Sequence, residues 1–197
     1  MNLVDRVKRI LLSPRTEWEV IDAEQTTAAA LFTGYVVPLA AIGPLARLIG
    51  YSVFGIPLPL MGTYRVPFGS ALTGAVIGFV LTLVGTYILA LIIDALAPTF
   101  NGQRNQIQAL KVAAYSSTAA WVAGIFALIP WLGFLGIVGL YSLYLLYLGL
   151  PVLMKAPREK ALPYTAVVIL AAFVLFMVIG VIAGRFTGIP HAMMTMP

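Results

Sequence analysis

The chain has 197 residues, 61% of them hydrophobic and 10% charged, with a mean hydropathy of +0.99 and a formal net charge of +5. A soluble domain carries about a quarter of its residues as charges, so a chain this apolar cannot cover a globular surface and must have lipid as its main solvent. The lack of cysteine excludes disulfides, thiolate metal sites and cysteine nucleophiles, and a single histidine, His191, excludes a two-histidine metal site within one chain.

The opening segment, residues 1–29, is expected to be cytoplasmic and amphipathic. Leu3, Val4, Val7, Ile10 and Leu11 recur at helical spacing, with Asp5, Arg6, Lys8 and Arg9 opposite them. A basic amphipathic helix ahead of a first span is expected to lie on an anionic membrane surface through Arg6, Lys8 and Arg9; packing of the same face on the membrane domain is the alternative. Ser13-Pro14 ends this helix, and a second short one follows with Thr16 and Glu19 at capping-box spacing and Trp18 as an interfacial anchor. Charges of both signs precede the first apolar run near Leu31, so a signal anchor is expected rather than a cleaved signal peptide.

Five apolar stretches then follow, at about 31–54, 68–97, 109–129, 132–154 and 164–184. Each is long enough to cross about 30 Å of hydrocarbon, and the second is longer than it needs to be. The expected fold is therefore an all-α integral membrane domain over 30–185, with five transmembrane helices and a tail over 186–197. Pro130 marks a tight hairpin between the third and fourth stretches. With the N-terminus inside, nine basic residues are cytoplasmic and only Arg47, Arg65 and Arg185 are external, while all seven acidic residues lie on the cytoplasmic side. That asymmetry predicts an external C-terminus.

Ionisable residues inside spans are costly and are therefore candidates for function. Asp94 and Lys111 end adjacent spans at similar depth, so an Asp94–Lys111 or Asp94–Arg104 ion pair is expected. The sharper reading is a polar vestibule that Tyr115 and Tyr147 would share, suited to an ion or a head group. Arg47 has no acidic residue predicted on its side, so it uses backbone carbonyls, snorkels to water, or meets an anion such as a lipid phosphate. Pro38 and Pro44 are positioned to break its helix. Tyr141, Tyr144 and Tyr147 recur at spacing three, which suggests either packing or the wall of a cavity. Ser116, Ser117 and Thr118 are expected to bond backbone carbonyls or neighbouring helices. Gly74 with Gly78, and Gly180 with Gly184, form GxxxG pairs suited to close helix packing. The tail holds His191, Met193, Met194 and Met196, donors that suit copper(I), but no metal site is assigned there.

The pattern Val7-Lys8-Arg9-Ile10-Leu11-Leu12-Ser13-Pro14 followed by Thr16-Glu17-Trp18, then Val36-Val37-Pro38-Leu39-Ala40-Ala41-Ile42-Gly43, Ala114-Tyr115-Ser116 and Tyr141-Ser142-Leu143-Tyr144, resembles the Yip1 superfamily of five-span membrane proteins in its bacterial branch. The resemblance covers about residues 1–185. It implies a protein that associates with membrane partners, as the eukaryotic relatives do with Rab-type GTPases and with one another. The long cytoplasmic region of those relatives is reduced here to about 30 residues, and the family pattern carries no catalytic residues. No hydrolase, phosphate-loop or metalloprotease motif occurs in the chain. The expectation is a non-enzymatic organiser of membrane partners or of the local bilayer, without cofactors. Its partners would be the bilayer and other membrane proteins or further copies of itself, and nucleic acid would not be among them. The alternative is a small permease or channel for an ion or small solute.

Overall fold

The computed structural model describes residues 2–58 and 62–184. Arg185 and the tail with His191, Met193, Met194 and Met196 lie outside the described residues. Helix α1, Leu3–Leu12, is capped by the Asn2 side chain, which accepts from the Val4 amide at 3.2 Å. Helix α2, Pro14–Ala23, begins directly after Ser13, with proline in its first turn where a missing N–H costs nothing. Thr16 does not cap as its spacing suggested; its hydroxyl donates to the Ser13 carbonyl at 3.0 Å.

Helix α3, Ala28–Phe54, starts at Thr27, whose hydroxyl accepts from the Ala30 amide. Its regular winding is interrupted as the prolines imply. Phe32–Val36 winds as a π-helix immediately before Pro38, and the chain turns at Ala41 before Pro44. A small antiparallel hairpin, β1 Ile56–Leu58 and β2 Gly62–Tyr64, sets Ile56 opposite Tyr64. It is entered through Gly55 at φ +80°, where a Cβ would also lie 2.6 Å from the Thr63 side chain. This is the hairpin end of the molecule.

Helix α4, Phe68–Phe100, has 33 residues and so exceeds the length a bilayer requires, in line with its composition. Asn101 in the left-handed region and the Gly102 amide bonded to the Ala97 carbonyl at 2.8 Å close its last turn. The chain returns through α5, Gln106–Ser116, and α6, Thr118–Ala123, which continues as a 3-10 turn over Gly124–Leu128. Ile129, in extended conformation, reverses the chain into α7, Pro130–Leu153, forming the tight hairpin marked by Pro130. Helix α8, Arg158–Gly184, completes the described chain.

Among the described residues, four helices, α3, α4, α7 and α8, are long and apolar enough to cross a membrane. The stretch 109–129, expected as a span of the same kind, is instead two helices meeting at Ser117. Its first part is the interior of the bundle: every residue from Ala109 to Ser116 is buried. A helix surrounded by protein needs no lipid-facing apolar surface, so it accommodates Lys111 and four consecutive polar side chains. By contrast, α8 exposes Phe173, Phe176, Met177 and Val181 on its outer side.

The N-terminal helices belong to this core. Ile10, Trp18 and Ile21 are fully buried among Ile93, Leu110, Leu145, Leu150 and Tyr164. The Tyr141 hydroxyl donates to the Leu11 carbonyl at 3.1 Å, whereas Asp22, near the C-terminal end of α2, meets Lys155. The α1–α2 pair therefore stands along α7 rather than lying across the end of the bundle, and the expected placement flat on a surface is replaced by packing on the membrane domain.

Candidate functional site

The densest polar cluster lies where α2 meets α5 and α7. On α1, Leu3, Val7 and Ile10 define the inward stripe, and Arg6 lies only about 60° from it. Arg6 is consequently the basic residue of this helix that turns inward, and it is 5% exposed. Its guanidinium donates to Glu17 at 2.6 Å, pairs with Glu24, and lies 5.5 Å from the centre of the Tyr115 ring. Expected at a membrane surface, Arg6 is in fact a buried link between the two N-terminal helices. Lys8 and Arg9 remain exposed, as expected of that face.

Lys111 is 2% exposed and donates to the carbonyls of Ile21 and Glu24 at 2.8 and 2.6 Å. Those groups close α2, where unpaired carbonyls and the negative pole of the helix favour a cation. Lys155 pairs with Asp22 at 2.5 Å, and Gln108 donates to both the backbone and the side chain of Asp22 at 3.2 Å. Arg6, Lys111 and Lys155 are thus balanced by Glu17, Asp22 and Glu24. An even set of charges, each held by close partners, is suited to fastening one element onto another.

Trp18 was expected at the lipid interface and is instead fully buried. Its ring meets Tyr115 edge to face at 6.3 Å and fills the space above Gly149. The Tyr115 ring also lies 4.5 Å from that of Tyr35, tilted by 55°, and the Tyr35 hydroxyl shares a 2.7 Å hydrogen bond with Thr118. Ser117 bonds the Ala113 carbonyl at 2.7 Å, as a hydroxyl inside a helix commonly does.

The vestibule expected from Asp94, Lys111, Tyr115 and Tyr147 is not assembled. Asp94 faces Arg104 at 3.7 Å, one of the two pairings anticipated, while Lys111 turns to α2. The other Asp94 oxygen is buried without a hydrogen-bond partner. A step of three residues falls about 60° short of a full turn, so the three tyrosines of α7 do not share one face, although the Tyr141 and Tyr144 rings still meet at 5.4 Å. Tyr141 faces α1, whereas Tyr144 and Tyr147 are exposed. Arg47 is exposed at the hairpin end, on the rim of a groove of about 300 Å³ between α3 and α4.

The GxxxG glycines are not where the helices approach most closely. A Cβ on Gly78, Gly180 or Gly184 would meet nothing within 4 Å, whereas Gly74 lines the α3–α4 groove. Close contacts instead involve Gly124 on Gly43 (2.9 Å from a built Cβ to Cα), Gly85 under Ile179, and Gly149 under Trp18. The sequence reading missed Glu17, Glu24, Tyr35 and Gly149. The available signal was Arg6 itself, a charge beside the apolar stripe of α1, which requires buried acids nearby. Among the described residues no group of three His, Asp or Glu side chains is placed to hold a metal ion.

A family model, the Yip1 domain, matches residues 8–179. No curated protein and no solved structure matches the chain.

Proposed function

Since the chain belongs to the Yip1 family and is an integral membrane protein, we propose that it is a non-enzymatic, multi-pass organiser of membrane partners or of the local bilayer. In this reading it is a member of the bacterial branch and resides in the inner membrane. The 106–128 segment makes a fifth crossing sheltered by its neighbours, and the N-terminus is cytoplasmic with the C-terminus external. The positive-inside asymmetry supports that orientation.

The observation that carries the reading is how the polar groups of the bundle are used. Tyr35 is bonded to Thr118, Tyr164 to the Ile93 carbonyl, Lys111 to α2 and Arg6 to two acids. These groups fasten the molecule together rather than line a passage. What remains available is a face of α1 and α2 that bears Val4, Lys8, Arg9, Leu12 and Arg15. Such a mixed basic and apolar surface suits a membrane partner or a lipid surface.

The permease reading needs Asp94 and Arg47 in one path. Asp94 lies about 18 Å further along α4 than Thr82, the last residue of that helix on the Arg47 groove, and it is paired with Arg104. Photo-crosslinkers placed at residues 8 and 12 in native membranes test the organiser role. Discrete adducts to a membrane protein, lost when Arg6→Ala undocks α1, are expected. Adducts to lipid alone would leave only the bilayer part of the proposal, and no adducts of either kind would contradict it.

A further inference from the structure

At the hairpin end, Pro44, Arg47 and Leu48 of α3 stand beside α4. The facing residues of α4 are small: Ser70, Ala71, Gly74, Ala75 and Gly78. The result is a groove of about 300 Å³ between the two helices, at the lower limit for ligand-sized sites. A second groove, of about 410 Å³, lies between the Ala120–Ala127 stretch of α6 and its 3-10 turn and the glycine-bearing start of α7, with Gly133, Gly136 and Gly139 along it and Arg47 of α3 at its edge. Among the described residues, both are lined almost entirely by apolar or small residues, and Arg47 is the one charged residue on either. It is also the residue they share.

We infer that Arg47 is the headgroup site for an anionic, two-chain glycerophospholipid of the leaflet at the hairpin end, with one chain in each groove. Among the described residues, ion pairs join Arg6, Arg104 and Lys155 to Glu17, Glu24, Asp94 and Asp22, and no carboxylate pairs with Arg47. A guanidinium beside hydrocarbon favours a phosphate, which it can engage with two parallel hydrogen bonds. A second copy of the chain is a poorer occupant. Symmetric pairing across this face would bring two arginines together with no acid between them.

The test is native mass spectrometry of the full-length protein in micelles doped with phosphatidylglycerol, diacylglycerol of the same chains, or lysophosphatidylglycerol, with inorganic phosphate as competitor. Retention of phosphatidylglycerol is expected to exceed that of the other two by about tenfold, the scale of one charge-assisted hydrogen bond. Arg47→Ala should abolish that preference. Gly78→Leu should lower retention while leaving the thermal midpoint unchanged, because a Cβ there meets nothing within 4 Å. Equal retention of diacylglycerol, unchanged binding in Arg47→Ala, or displacement by inorganic phosphate would each overturn the assignment. So would a dimer that Gly78→Leu dissociates without loss of lipid.

Discussion

Trp18 and Gly149 are mutually exclusive with any larger residue at position 149: a Cβ there would sit 2.7 Å from the indole ring. The contact joins α2 to α7 across about 130 residues of sequence and sets how closely the N-terminal pair can approach the membrane domain. Gly149→Val is predicted to force the indole out and to cost about 1–3 kcal/mol, the usual range for overpacking a core. Trp18 emission, measured against a background with Trp121 and Trp131 replaced by phenylalanine, should shift to the red. An unchanged spectrum would mean that α2 does not pack on α7.

Arg6 and Glu17 are both buried, so removing Arg6 leaves Glu17 as an uncompensated charge. Arg6→Ala is predicted to destabilise docking of the N-terminal pair by about 3–5 kcal/mol, whereas Arg6→Met combined with Glu17→Leu should cost far less. Protease accessibility of residues 1–24 in membranes distinguishes the two. Equal accessibility in the single and double variants would contradict the pairing.

Lys111 and Lys155 both touch α2, but only Lys111 is buried. Lys111→Met strips the carbonyls of Ile21 and Glu24 of their donor, at a predicted cost of about 1–3 kcal/mol. Lys155→Met removes a partly exposed pair worth about 0.2–1 kcal/mol. Thermal melts in detergent should rank the two in that order, and the reverse ranking would place α2 elsewhere.

The tyrosines separate by the same reasoning. Tyr164 donates to the Ile93 carbonyl at 2.5 Å and Tyr35 bonds Thr118, so Tyr164→Phe and Tyr35→Phe should each cost about 1 kcal/mol. Tyr144→Phe and Tyr147→Phe, at exposed positions, should leave the melting point unchanged.

The membrane helices were legible because lipid selects for apolar length, and α3, α4, α7 and α8 are long and apolar enough to cross a membrane. The 106–128 segment was legible as an apolar stretch but not as the bundle interior, since lipid-facing and protein-facing surfaces share one hydropathy. The proline breaks of α3 and the Pro130 hairpin follow from local backbone chemistry and were read correctly. Arg6 and Trp18 were misplaced because their partners, Glu17, Glu24, Tyr115 and Gly149, are fixed only by tertiary packing. Periodicity gives the face on which a residue lies but not what covers that face. The GxxxG pairs misled for the same reason: spacing marks where a close approach is permitted, and the close approaches formed at Gly43, Gly85, Gly124 and Gly149 instead.

The central claim is that this is a fastened, non-transporting bundle. It is tested most directly by ion and small-solute flux through the purified protein in liposomes, comparing the wild type with Asp94→Asn and Arg47→Ala. The account predicts flux no greater than that of empty liposomes for all three proteins across a broad panel of solutes. Flux by the wild type that either substitution abolishes would contradict it and establish a permease.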